Sequence, residues 1–92
     1  MNHLIFFSGS DCPHCDIMRR LIERLKTEFS IDVEEKEVWQ HENNYRLMEN
    51  YTRDHDCPGI PVFVNTETNV ILCGETTYKQ LLSWAQGGNV IQ

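Results

Sequence analysis

Apolar and polar positions along this chain switch between two periods. Leu4-Ile5-Phe6-Phe7, after His3, is a short continuous apolar run closed by Ser8-Gly9-Ser10, the pattern of a buried strand running into a turn. The spacing then lengthens. Ile17, Met18, Leu21, Ile22, Leu25 and Phe29 recur at helical intervals, which predicts a helix over 13–29 with Arg19, Arg20, Glu23, Arg24 and Lys26 on its wet side. Ser30 ends it. Residues 31–39 read as a second strand, whose Glu34-Glu35-Lys36-Glu37 breaks the alternation and places it at a sheet edge.

A polar helix is predicted over 42–53, with Tyr45, Leu47, Met48 and Tyr51 facing inward, and the loop Asp54-His55-Asp56-Cys57-Pro58-Gly59 stops it. Residues 60–64 form a third strand that begins at a proline, a position proline tolerates. The chain turns over 65–69, and Val70-Ile71-Leu72-Cys73 returns as the hairpin partner. Thr77-x-x-Gln80 is a capping-box pattern opening a last helix with Tyr78, Leu81, Leu82 and Trp84, which Gly87-Gly88 closes. The order is β-α-β-α-β-β-α. The first β-α-β crosses over right-handed and gives a parallel pair, and the later hairpin adds two antiparallel strands. The fold class is therefore α/β, a four-stranded mixed sheet with helices on both faces, in a single domain spanning 1–92.

Chemistry concentrates where the first strand meets the first helix, at Asp11-Cys12-Pro13-His14-Cys15. Pro13 suits the first helical position, where its missing N–H has no partner in any case. Cys12 then falls at or next to the N-cap, facing unpaired backbone N–H groups and the positive end of the helix dipole. That environment favours the thiolate, which is the nucleophile. Cys15 shares a stripe with Met18 and Ile22 and turns inward. One cysteine is placed to attack and the other to resolve, as in a dithiol/disulfide site.

Composition narrows the partners. Lys and Arg total 8 against 14 for Asp and Glu, a net charge of −6, and no basic face is visible in the sequence, so nucleic acid is not expected as a partner. The N-terminal apolar run has no basic region before it and is too short for a signal peptide, and no apolar stretch is long enough to span a bilayer. The expectation is a cytoplasmic monomer that engages no membrane. Structural disulfides are uncommon in that compartment, and Cys-x-x-Cys there is more often catalytic or metal-binding.

Cys-Pro-His-Cys after the first strand, with Gly59-Ile60-Pro61 before the third, resembles the thioredoxin superfamily over nearly the whole chain. The length, and the start at the first core strand, are similar to a glutaredoxin. The resemblance implies a thioredoxin-like fold and a thiol–disulfide oxidoreductase in which Cys12 attacks and Cys15 resolves. From the residues themselves, Pro13 and His14 are expected to tune the thiolate, with Asp11 and Asp16 opposing His14 through like-charge repulsion. The resemblance implies that Pro61 is cis beside the reactive disulfide, that the backbone of Ile60 pairs with the substrate chain, and that Gly74, with Thr76 and Thr77 at the last helix start, lies on the substrate side. No cofactor is implied. The partners are protein or small-molecule disulfides, with a reductase or small thiol as electron donor.

Gly9 stands where glutaredoxins carry a lysine, and Thr76-Thr77 replaces their acidic or Ser-Asp cluster. Both changes remove groups that hold the charged ends of glutathione, which predicts that glutathione is a poor donor. Asp11 occupies the place of thioredoxin's tryptophan and Phe6 that of its buried acid.

Other readings of the same residues stand beside this one. Cys12, Cys15, Cys57 and Cys73 could supply four thiolates to zinc or an iron–sulfur cluster, although structural zinc sites bring their cysteines in two short-spaced pairs. The fold could also serve as a non-catalytic binding module with its partner across Ile60-Pro61, and Cys12 and Cys15 could be inert buried thiols. Cys57 and Cys73 read as small hydrophobes, with a second thiol role as the less favoured alternative. His3, His41 and His55 show no paired ligand spacing.

Overall fold

A computed structural model describes residues 2–88 of the chain. Its elements run β1 (Leu4–Ser8), α1 (Pro13–Phe29), β2 (Glu34–Glu37), α2 (Glu42–Thr52), β3 (Val62–Asn65), β4 (Val70–Cys73) and α3 (Tyr78–Ala85). The sheet order is β2-β1-β3-β4. β1 and β2 pair parallel, while β1–β3 and β3–β4 pair antiparallel. This is the mixed four-stranded α/β architecture expected from the sequence, compatible with a thioredoxin-like topology.

Strand alternation explains the two layers of core. Leu4, Phe6, Phe63 and Leu72 point to one face and pack with Met18 and Leu25 of α1 and Leu81 and Trp84 of α3. Ile5, Phe7, Val62 and Val64 point to the other and pack with Met48 of α2. β1 is buried along its whole length because both faces are covered, so its sequence shows a run rather than an alternation. Phe6 stacks on Phe63 at 5.1 Å between centroids, and Trp84 meets Phe63 edge-on at 5.6 Å.

Caps and turns account for the element ends. Ser30 adopts the left-handed conformation (φ 56°) at the end of α1, where its N–H reaches the Lys26 carbonyl and the Ile31 N–H reaches that of Leu25. Thr77 caps α3 by accepting the Gln80 N–H, so the predicted capping residue is in place. Buried Asn65 organises the hairpin turn: its carbonyl accepts from Glu67 and Thr68 N–H, and its amide donates to the Trp84 carbonyl.

The structure departs from the sequence expectations at the borders. β2 is four residues rather than the nine of 31–39, because its only partner, β1, runs out: Ser8 pairs with Glu37 and the ladder ends. It is an edge strand, as its charges indicated. β3 starts at Val62 rather than at 60, since Pro61 has no N–H to give the ladder. Ile17 and Phe29 are exposed, not inward; the buried stripe of α1 is Cys15, Met18 and Leu25, with Leu21 and Ile22 half-buried beside it. Tyr45 is also exposed, leaving Met48 as the buried residue of α2 with Leu47 and Tyr51 at its flank.

Candidate functional site

One row across the sheet determines what meets at its end. Lys36, Phe7, Val62 and Cys73 are in register, and because β3 runs against β1, four connections leave the sheet on the same side. They are the β1–α1, β2–α2, α2–β3 and β4–α3 loops. Cys12, Trp39, Ile60-Pro61 and Gly74-Glu75 each lie on one of them.

Cys12 is the N-cap of α1, with extended backbone (φ −136°, ψ 97°), and Pro13 is the first helical residue. The Cys12 sulfur accepts the Cys15 N–H at 3.2 Å, so a helix-terminal amide is already aimed at the atom that would carry charge. Cys12 and Cys15 form a disulfide with Cα atoms 5.2 Å apart. Cys15 is wholly buried while Cys12 retains 7 % of its surface. That asymmetry leaves Cys12 as the more exposed of the two residues.

His14, between the two, turns outward (68 % side-chain exposure), and its Nδ1 lies 2.8 Å from Glu75 Oε1. The bond ties the start of α1 to the loop before α3. Glu75 was not singled out from the sequence, although it adjoins Thr76-Thr77; which residue of that segment faces α1 depends on the turn at Gly74. Gly74 takes φ +85°, open to glycine, and its N–H donates to the Pro61 carbonyl at 2.7 Å. The hydroxyl of Thr76 donates to Gln80 Oε1, and that of Thr77 caps α3, so both already serve the start of the helix.

The Ile60–Pro61 bond is cis. Pro61 is buried, whereas Ile60 is half-buried and packs against the cluster that contains Cys12 and Cys15. Among the described residues, no backbone hydrogen bond involves Ile60. Its N–H and C=O are thus available at the end of the sheet, the situation in which an extended chain can add itself.

No protein-family model matches the chain, and no curated protein matches it either.

Sequence reasoning missed Trp39. Its ring is 55 % exposed, unusual for so large an apolar group, and it lies over Gly9. A Cβ on Gly9 would come 2.7 Å from Trp39 Cδ2, 2.8 Å from Cε3 and 2.5 Å from Ile60 Cδ1. The space over Gly9 is therefore filled from the β2–α2 loop. Trp39, Tyr45, Cys57, Pro58, Gly59 and Ile60 line a cleft of about 280 Å³ next to the cis-proline. Its sequence signal was faint: an aromatic residue at the end of a strand otherwise made of charges.

Below the β1–α1 turn, buried Ser8 donates to Glu35 at 2.6 Å, and Arg19 of α1 holds the same carboxylate from 2.8 Å. Burial pushes the Glu35 carboxyl up, but the Arg19 and Ser8 hydrogen bonds outweigh it and hold the pKa below the usual range. Glu37 is likewise lowered, chiefly by the Gln40 N–H, and it also accepts the Ser10 N–H at 2.7 Å, which fixes the turn before Asp11.

Cys57 and Cys73 are joined as a second disulfide, with Cα atoms 5.3 Å apart, rather than sitting as isolated small hydrophobes. The four cysteines form two pairs, and no group of three or more His, Cys, Asp or Glu side chains able to hold a metal occurs among the described residues. No helix of the described chain is long and apolar enough to cross a membrane.

Proposed function

We propose that the protein is a thiol–disulfide oxidoreductase of the thioredoxin superfamily, glutaredoxin-like in size, acting in the cytoplasm on polypeptide disulfides. The observation that carries this reading is the cysteine pair at a helix start, with Cys12 the more exposed of the two and its sulfur bonded to a helix-terminal N–H, beside a cis-proline whose preceding residue makes no backbone hydrogen bond among the described residues. The cleft under Trp39, which runs past Ile60 and is lined by Trp39, Tyr45 and Pro58 together with the polar side chains of Glu49 and Thr52, supports an extended polypeptide as the substrate.

In the reduced form, the Cys12 thiolate attacks one sulfur of the substrate disulfide. The substrate S–S bond breaks, its second sulfur leaves as a thiolate and takes a proton, and a Cys12–substrate mixed disulfide remains. Cys15, as thiolate, then attacks the Cys12 sulfur. The Cys12–Cys15 bond forms, the substrate's other sulfur departs as a thiol, and two electrons have passed to the substrate. The helix-terminal amide acts at the first step, by holding negative charge on Cys12 as attacker, and again in the reset, when Cys12 leaves its mixed disulfide with the reductant. A reductase or a small thiol resets the pair, and no cofactor takes part.

The decisive experiment compares Cys12→Ser and Cys15→Ser in reduction of a protein disulfide, together with alkylation of the reduced wild type. Cys12→Ser abolishes turnover, and Cys15→Ser accumulates mixed disulfides with substrate. Equal alkylation rates at Cys12 and Cys15 near neutral pH would remove the division of labour, and turnover surviving in Cys12→Ser would remove the reading altogether.

A further inference from the structure

The second disulfide occupies a position with consequences for the first. Cys57 belongs to the loop between α2 and Pro61, in which residues 53–56 and 58 are exposed. The backbone hydrogen bonds of this loop are local, His55 N–H to the Thr52 carbonyl and Cys57 N–H to that of His55. Neither reaches the sheet. Cys57 and Ile60 pack against the core on the faces of the sheet, and the covalent link to Cys73, the last residue of β4, adds a fixed anchor for Cys57 and the following Pro58-Gly59-Ile60. Just beyond Cys73, Gly74 holds the Pro61 carbonyl and Glu75 holds His14. Both cysteines are half-buried, in contrast to Cys15, and Cys57 lines the open cleft under Trp39.

We propose that Cys57–Cys73 is a second redox site, at which thiol–disulfide exchange releases or re-anchors the segment carrying Ile60. The exchange partner is a dithiol of the reductase type. One of its thiolates attacks Cys57 from the cleft; the Cys57–Cys73 bond breaks, and Cys73 leaves as a thiolate and is protonated. The second thiol of the dithiol then displaces Cys57 from the mixed disulfide. Two electrons move from the dithiol to the pair, and the dithiol becomes a disulfide; an oxidising disulfide runs the sequence backwards. With the anchor open, Pro58-Gly59-Ile60 samples more conformations, and the backbone groups of Ile60 lose their fixed aim. The consequence for catalysis rests on the function proposed above, whereas the exchange at Cys57 rests on the accessibility of the loop alone.

The two can be tested apart. In the Cys12→Ser/Cys15→Ser chain, only Cys57 and Cys73 respond to graded dithiothreitol. The expected result is that they become alkylatable together while circular dichroism still reports the folded chain. The emission of Trp39 shifts in the same step, a shift absent when Trp39→Phe is added and only buried Trp84 remains. Amide exchange at residues 57, 59 and 60 rises at least about tenfold, with the strands unchanged. A disulfide that stays oxidised until the chain unfolds, or that opens without faster exchange in this loop, overturns the proposal. In a chain with Cys12 and Cys15 intact, Cys57→Ser/Cys73→Ser raises KM for a protein disulfide and leaves reaction with a small aromatic disulfide unchanged. An equal loss on both substrates overturns control of docking. If the wild type reduces no disulfide at all, the proposed function fails while the alkylation and exchange results still decide the second site.

Discussion

Gly9→Ala offers a test of whether the Trp39 ring belongs to the site or merely lies near it. No left-handed conformation protects this glycine, so the backbone accepts alanine, and restricting the unfolded chain would by itself stabilise by about 0.4–1 kcal/mol. The side chain is the obstacle. The new Cβ would sit 2.5–2.8 Å from Ile60 Cδ1 and two atoms of the Trp39 ring, and something must move. Overpacking of this kind typically costs about 1–3 kcal/mol. The Ile60 atom ends a flexible side chain and yields cheaply; the ring is rigid and must tilt as a whole. A net loss of ~1 kcal/mol is expected, most of it from Trp39.

The ring's share is isolated by repeating the substitution in a Trp39→Ala background. Two of the three close contacts are then gone, and Gly9→Ala becomes neutral or slightly stabilising, a coupling of ~1 kcal/mol. Urea unfolding of the four chains reads this directly, provided the midpoint shifts at constant m-value. The same displacement predicts a functional signature: both single variants lose efficiency on a protein disulfide through KM and keep their rate with a small one. If Gly9→Ala costs the same in both backgrounds, the ring does not rest on Gly9 and its place beside Ile60 is lost from the argument.

Three further outcomes follow from the same geometry. Glutathione-coupled reduction is expected to be slow, and Gly9→Lys does not rescue it while Trp39 occupies the space; glutaredoxin-like turnover of the wild type would refute this. His14 is exposed and its Nδ1 is turned to Glu75, away from the buried pair, so His14→Pro should lower the potential of the Cys12–Cys15 pair by less than about 30 mV, measured against a dithiol buffer. A shift well beyond that would show that His14 acts on Cys12 directly. Glu35 has its folded pKa below the ordinary value of 4.5, so the stability it contributes is full above that value and is lost as pH falls through the depressed one. Glu35 is partly exposed, so Glu35→Gln removes only some tenths of a kcal/mol at neutral pH and flattens the acid limb of stability against pH; an unchanged limb would mean that the Arg19 and Ser8 bonds do not hold in solution.

What could be read in the sequence follows from which interactions are periodic. The run 4–7, the stripe through Cys15, Met18 and Leu25, and the hairpin 62–73 each repeat a burial pattern, and the order of elements along the chain followed from them, whereas the strand order in the sheet came from the structure. Cys12 at the helix start was legible for a local reason: Pro13 sets the first turn, and the N-cap lies one residue before it. Ile17 and Tyr45 misled because helical spacing shows that a residue lies near an apolar face and not that a neighbour covers it. Trp39 misled in the other direction. A strand read through it placed it in the sheet, whereas β2 ends when β1 does, and that limit is set by pairing between segments far apart in sequence.

The Cys57–Cys73 and His14–Glu75 contacts were harder still, because each joins two loops. Loop paths carry no period, and a loop–loop contact depends on both turns at once. The sheet register nevertheless restricted the choice. With Phe7 opposite Val62 and Val62 opposite Cys73, whatever precedes β3 and whatever follows β4 must emerge beside Cys12. Cys57 lies five residues before Val62 of that row, and Glu75 two residues beyond Cys73. Parallel pairing on one side of β1 and antiparallel pairing on the other thus bring a cysteine, a carboxylate and an aromatic ring from separate loops to one end of the sheet, and do so without any of them needing a motif. Reading the row first, and asking next which reactive side chains fall within a few residues of its ends, would have singled out Glu75 and Trp39 as well as Cys57.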